Sequence, residues 1–447
     1  MSVTERARGY VYWLLDYLKG QPVGKHYREI REASLRGVSP AVIEEKIQNL
    51  LRHATETTAY YASFGGMQQL CLTDFPVMNK QLYREHYDAF LSTRYLDAKD
   101  NRVMKTSGST GTPFQIIQNR EKILRNTASA LVIGRLGGYR LGDRQAFARV
   151  WVQGYRKSAL RSKLENLFPV DASQLDSYHL AQVGELLVKK RITSIIGYAS
   201  YLSILSNYLV GVGRKANQYR VKSILSISEH LPSRARTRLK ALFGCTVNAQ
   251  YSNEENGVMG TQEGGEEYYL DSASWHFEIL KSDSDEPAPD GQLGRIVITD
   301  LYNYAFPMIR YDTGDMAVAK RAVEGKTGRY WLFFLDLYGR RSDVVFDLLD
   351  RPVFPRLIST MMHDFATRDS TLLQWQFIQL ARRRYCFRIV SRGEFRGDVL
   401  RTKFSPLFGE EIQIEQLDEI PVLSSGKRKC IQNDMLWSGE RSEPYSR

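Results

Sequence analysis

Cysteine is scarce in this chain: four residues in 447, at Cys71, Cys245, Cys386 and Cys430, none near another. With no CxxC pair and no Cys/His ligand spacing, the pattern argues against a disulfide framework and against a zinc site. It fits a reducing cytoplasm, with each cysteine expected as a small core residue. No apolar stretch reaches about 18 residues, the length a membrane span needs. The run Gly9–Leu15 is apolar, but Asp16 and Lys19 interrupt it early and no small-residue cleavage site follows, so a signal peptide is not expected. The expected structure is an amphipathic first helix packed on the protein, with peripheral membrane contact through the aromatic face of residues 9–18 as the alternative. There is no low-complexity block, no charge-dominated tail and no repeat of solenoid length, which sets aside disorder and repeat architectures.

What is present is a globular composition, 43% hydrophobic and 25% charged, in a chain long enough for two or three domains. The formal net charge of +12 favours anionic small molecules such as nucleotides, or an anionic membrane face. The charge is dispersed, with short clusters only at Arg382–Arg384 and Lys427–Lys429. A nucleic-acid groove is therefore not expected.

Residues 1–100 carry helical periodicity at Ala41–Ala54 and Gln81–Leu91, punctuated by Asp74-Phe-Pro-Val-Met-Asn-Lys80. From about residue 103, β-rich runs alternate with helical ones. Candidate strands are Ala146–Val152, Ser194–Ile196, Ser223–Ser226, Thr246–Gln250 and Arg295–Thr299. That alternation predicts an α/β domain with a largely parallel sheet. Asp283–Gly294 reads as a surface turn between strands. Beyond Tyr338–Asp343, strand-like Tyr385–Val390 and Ile412–Gln416 flank a helical pattern at Asp398–Phe404, which predicts a small α+β domain. The expected division is 1–338 and 339–447.

One loop suggests chemistry. Lys105-Thr106-Ser107-Gly108-Ser109-Thr110-Gly111-Thr112-Pro113 packs hydroxyls and glycines that can turn tightly and aim donors at phosphate. It lacks the Gly-Lys-Ser/Thr ending of a Walker A loop. Alone, it is equally a flexible Ser/Gly turn.

This stretch resembles the phosphate loop of the adenylate-forming superfamily of acyl-CoA synthetases, adenylation domains and luciferases. The closer likeness is to the phenylacetate–coenzyme A ligase-like branch, which includes deazaflavin-adenylating and capsule-biosynthesis adenylating enzymes. Further segments are similar to the family's motifs, in its order: Gly197–Leu202, Ser226–Leu231, Tyr251-Ser-Asn-Glu-Glu255, Asn303–Asp315, Gly339-Arg340 and Pro421–Lys427. Single matches of this kind are weak, but their fixed order is not readily produced by chance.

The resemblance implies a large N-terminal adenylate-forming domain with mixed or parallel sheets, and a small mobile C-terminal α+β domain. It implies ATP and Mg²⁺, held by Thr106, Ser107, Gly108, Ser109, Thr110 and Gly111 at the phosphates and Ser228, Glu229 and Tyr251 at the adenine. Asp315 and Arg340 would take the ribose, Glu255 the metal, and Lys427 would be the catalytic lysine. The implied reaction activates a carboxylic acid as acyl-AMP and passes it to an acceptor; a transferase that leaves AMP on its substrate and a non-catalytic scaffold are the alternatives. The chain departs from the pattern at Phe114, where many members have lysine, at Glu254, where threonine is usual, and at Ser342, where aspartate is common. Asp350–Pro355 places Arg351 and Pro352 where coenzyme A-forming members have a glycine-containing stretch. That argues against coenzyme A as acceptor and makes an amine or hydroxyl, such as one on a sugar, comparable.

Overall fold

The computed structural model of the chain describes residues 3–66, 70–105, 114–151, 158–340, 344–353, 355–369, 371–393, 395–420 and 430–436. Four helices come first: α1 (Val3–Leu18), α2 (Gly24–Arg36), α3 (Pro40–Thr57) and α4 (Lys80–Glu85). Pro40 begins α3, where its fixed φ suits the first turn and its missing N–H costs no bond. Strands β1 (Arg102–Lys105) and β2 (Gln115–Gln118) then pair antiparallel, and α5 (Arg120–Leu136) follows.

The central feature is an 11-stranded sheet. Its first half is βα-alternating: β3 (Gln145–Arg149), α6 (Ala159–Leu164), β4 (Leu167–Asp171), α7 (Ser177–Lys189), β5 (Ser194–Tyr198), α8 (Ala199–Gly211), β6 (Ser223–Ile227), α9 (Ser233–Phe243) and β7 (Thr246–Asn253). These strands lie parallel in the order β4-β3-β5-β6-β7. Covered by helices, β5 and β6 are buried along nearly their whole length, as parallel strands usually are.

The second half departs from the largely parallel sheet predicted above. Strands β8 (Gly257–Gln262), β9 (Tyr268–Leu270), β10 (Trp275–Leu280), β11 (Leu293–Asp300), β12 (Tyr311–Val323) and β13 (Tyr330–Arg340) continue the sheet as β7-β8-β9-β13-β12-β11-β10, all antiparallel. The connections explain much of the change: turns such as 263–267 and 324–329 are too short for the helical crossover that a parallel pair requires.

Three apolar clusters match this layout. One joins α3 and the segments around Phe75, Tyr83 and Phe114 to the antiparallel strands. A second packs α7, α8 and α9 on the parallel strands. The third is built only from Val345 onward, around Phe377, Phe387, Phe404 and Phe408. It lies on a four-stranded sheet, reached after a short hairpin of β14 (Val345–Phe346) and β15 (Pro352–Val353) and helix α10 (Pro355–Arg368). Strands β16 (Leu372–Ala381) and β17 (Arg384–Ser391), helix α11 (Gly397–Phe408), then β18 (Gln413–Gln416) and β19 (Ile431–Asn433) complete it in the order β18-β17-β16-β19.

Two expectations need correction. Only Cys386 is a buried thiol; Cys71 and Cys430 are exposed and Cys245 is partly so, because the first two fall in connecting segments rather than on an apolar face. Helix α1 also packs on the protein the wrong way round for a surface helix: Glu5 and Asp16 face inward while Tyr10, Leu14, Leu15 and Leu18 face out.

Candidate active site

In open α/β sheets, ligands sit beyond the carboxyl ends of the parallel strands. Here the register aligns those ends: Ala148 pairs with Gly197, Tyr198 with Ile227, and Ser226 with Ala249. Arg149, Tyr198, Ser228 and Tyr251 therefore fall close to one level along the sheet edge. Ser228 adopts φ 70°, a left-handed turn that ends β6 abruptly. Glu229 then accepts a hydrogen bond from the Ser200 backbone N–H, 2.8 Å away, at the start of α8. Carboxylate charge at a helix N-terminus is favourable, so Glu229 fixes the β6 turn against α8.

Tyr251 reaches across to the antiparallel half. Its hydroxyl donates to Asp315 Oδ2 at 3.1 Å and lies 3.5 Å from Thr313 Oγ1. Burial raises the Tyr251 pKa well above the usual phenol value, and the Asp315 carboxylate raises it further. The phenol stays protonated and acts as donor. Asp315 is itself held by its backbone N–H, which donates to Thr313 Oγ1 at 3.1 Å. Arg340 is its cross-strand partner on β13, so the register alone puts a carboxylate beside a guanidinium.

The rest of the Pro307–Asp315 segment builds the turn that presents Asp315. Arg310, at φ 49°, donates to both oxygens of Glu278 and to the Phe75 carbonyl. Asp312 pairs with Arg295 at 3.2 Å and accepts from Gly314 N at 2.8 Å.

Glu255 lies in the tight β7–β8 turn and is buried, whereas Glu254 beside it is exposed. Its Oε1 is 2.6 Å from Lys80 Nζ and accepts from the Tyr311 hydroxyl at 3.5 Å. Burial, then the Glu255 charge, hold the Tyr311 pKa far above its ordinary value, so this group too remains a donor. Below Glu255, the buried Lys122 donates to the Asn256 carbonyl at 3.1 Å and pairs with Asp300 at 2.5 Å.

Lys80 joins the site without any local sequence signal, at the end of the segment Asp74–Lys80 that punctuates the helical periodicity. The segment is docked by Met78, whose N–H donates to Arg310 O and whose carbonyl accepts from Asp312 N, each at 2.8 Å. That places the Lys80 ammonium 5.3 Å from the centre of the Phe114 ring. Phe114 follows the hydroxyl-rich loop in sequence, at the position where many members of the resembled family have a lysine. A cation thus stands beside that position, supplied by a different part of the chain.

The structure brings together Tyr251, Asp315 and Arg340, with Glu255 and Lys80 adjoining through Tyr311, and sets Ser228 and Glu229 on the neighbouring strand end. Thr106–Gly111, Lys427 and the hinge position Ser342 lie outside the described residues. A single buried carboxylate suits Mg²⁺, which takes one or two carboxylates and fills its other positions with water and substrate phosphates. Among the described residues no group of three or more His, Cys, Asp or Glu side chains could hold a metal by itself.

The sheet is parallel on one side of β7 and antiparallel on the other, and the candidate residues gather at and beside that shared strand. No family model and no curated protein matches the sequence. Among solved structures, 2-hydroxyisobutyryl-CoA ligase in the postadenylation state, in complex with R3-HIB-AMP, superposes with a TM-score of 0.67 at 16% identity. It covers 91% of this chain and 92% of its own, so the likeness takes in both the large and the small sheet. The anthranilate CoA ligase AuaEII in complex with anthranoyl-AMP gives 0.50 at 15% identity, over 73% of this chain and 64% of its own. ATP-bound MatB from Rhodopseudomonas palustris gives 0.50 at 12%, over 73% and 66%. The chain shares its overall fold with these ligases.

Proposed function

We propose that the protein is an ATP-dependent adenylate-forming ligase of the phenylacetate–coenzyme A ligase-like branch, activating a carboxylic acid as acyl-AMP with release of pyrophosphate. The observation that carries this reading is the Tyr251–Asp315 contact, which joins two segments 64 residues apart at the carboxyl end of the parallel strands. A neutral phenol fixes the Asp315 carboxylate in the orientation in which ribose hydroxyls would donate to it, with Arg340 as a planar donor alongside.

In this reading the Thr106–Gly111 loop holds the β- and γ-phosphates, and Ser228 and Glu229 border the adenine. Glu255 holds Mg²⁺, which offsets phosphate charge. Lys80 adds the cation that Phe114 cannot supply. Negative charge grows on the nonbridging oxygens as the carboxylate attacks the α-phosphorus, so preplaced cations and donors lower the barrier most. Lys427, on a domain spanning 339–447, bridges the two approaching anions and leaves by hinge rotation for the second step.

For the acceptor, Arg351 is tied to Asp347 at 2.8 Å, and Asp350 to Arg382 at 2.6 Å. These ion pairs tether a charged turn in the segment that, by resemblance, replaces the glycine-containing stretch of coenzyme A-forming members, so an amine or hydroxyl acceptor is set beside coenzyme A as a comparable reading. The test is ATP–pyrophosphate exchange across aryl, fatty, amino and uronic acids. Exchange dependent on one acid class supports the reading. ATP consumption yielding a stable adenylylated product, with no acid-dependent exchange, overturns it in favour of nucleotidyl transfer.

A further inference from the structure

Surface helices ordinarily bury their apolar stripe and expose their charges. Helix α1 does the reverse. Glu5 and Asp16 are only 3% and 8% exposed, while Tyr10 and Leu18 are 75% and 71% exposed, with Val11, Leu14, Leu15 and Tyr17 beside them. These six lie within nine residues, a density of outward apolar side chains that no other described helix approaches.

The inversion is built in by polar anchors. Both carboxylate oxygens of Asp16 accept from the N-terminus of α2, from Val23 N and Gly24 N, each at 2.9 Å. Glu5 pairs with Arg144 at 3.5 Å. Arg8 donates to the carbonyls of Lys163 and Leu164 at 2.7 and 2.8 Å, which brings the exposed Leu164 of α6 against the same helix. Between the anchors, Trp13 packs on Tyr27 with ring centres 4.8 Å apart. The helix is therefore fixed in this orientation by groups that cannot turn outward without losing partners.

We infer that α1 is a docking face for an anionic lipid surface. Charge selects this occupant. From Val3 to Lys25 both acidic side chains are buried, and the exposed charges, Arg6, Lys19 and Lys25, are all positive. The chain as a whole carries +12. A basic rim repels a second copy of the same face and attracts anionic headgroups. Tyr10 and Tyr17 flank the leucines, and tyrosine suits the boundary between hydrocarbon and headgroups. No described helix is long and apolar enough to cross a membrane, so the contact is with the surface only.

The test is co-sedimentation of the full chain with phosphatidylcholine vesicles, with and without about one-third phosphatidylglycerol, at low and high salt. Binding should require the anionic lipid, weaken with salt, and fall about tenfold or more in Leu14→Glu/Leu15→Glu. That variant replaces exposed side chains only, so its thermal melt should match the parent. Three results would overturn the inference: a parent chain that stays in the supernatant, an undiminished double variant, or a concentration-dependent dimer that the double variant abolishes.

Discussion

Lys80 Nζ and Glu255 Oε1 are 2.6 Å apart, although 175 residues separate them in sequence. The ammonium also faces the Phe114 ring. If Lys80 is the phosphate-side cation, Lys80→Met should raise KM for ATP about tenfold, the equivalent of roughly 1.4 kcal/mol. Lys80→Arg should recover most of the loss. Initial rates of pyrophosphate exchange at varied ATP and Mg²⁺ check this; an unchanged KM would leave Lys80 as a structural partner of Glu255.

Asp315 and Tyr251 should differ in severity. Asp315→Ala removes the ribose acceptor itself and should depress ATP binding about a hundredfold, two polar contacts at roughly 1.5 kcal/mol each. Tyr251→Phe keeps the ring and loses one hydrogen bond to a charged group, so about a tenfold weakening is expected. Isothermal titration with ATP separates the two.

Lys427→Ala should reduce acid-dependent pyrophosphate exchange by about a thousandfold or more, as expected when a cation acting mainly in the transition state is lost. ATP affinity should stay near that of the parent. Normal exchange in this variant would remove Lys427 from the mechanism.

The fully buried Lys122–Asp300 pair predicts a stability effect. Burial lowers the Lys122 pKa, and the facing carboxylate opposes that shift. Removing one partner strands the other, so Lys122→Met and Asp300→Leu should each cost about 3–5 kcal/mol, whereas the double variant should recover much of it. Urea midpoints measure the cycle.

His276 sets a pH dependence. Burial, followed by Arg321, lowers its pKa to about 4. The unfolded chain takes up this proton first, near pH 6.5, so stability is complete above that pH and declines as pH falls toward 4. In His276→Gln the decline should flatten by on the order of 2 kcal/mol across that window, read from denaturant melts at pH 7, 5.5 and 4.5.

Most of the parallel half was legible because its strands are short runs between helical periods: Ser194–Ile196 and Ser223–Ser226 anticipate β5 and β6 closely, whereas β4, with Pro169 at its centre, was not among the candidates. The small sheet was legible for the same reason at Tyr385–Val390 and Ile412–Gln416. In the antiparallel half Arg295–Thr299 anticipates β11, but β12 was not legible, since it runs through Asp312, Gly314 and Asp315, residues that read as a turn, with Gly314 at φ 78° and a register shift against β11. Tyr251 and Glu255 were legible as candidates because they fall in one segment. Lys80 was not, because its meaning comes from Met78 pairing with a strand more than 200 residues away, a contact no local pattern announces.

Strand β7 contributes Val247 to the core of the parallel half, and Ala249 and Tyr251 to that of the antiparallel half. The large sheet therefore cannot divide into two autonomous folding units, since neither half can condense fully without the same eight residues. A nucleotide resting on Tyr251 would be anchored to the one strand through which cooperativity between the halves must pass.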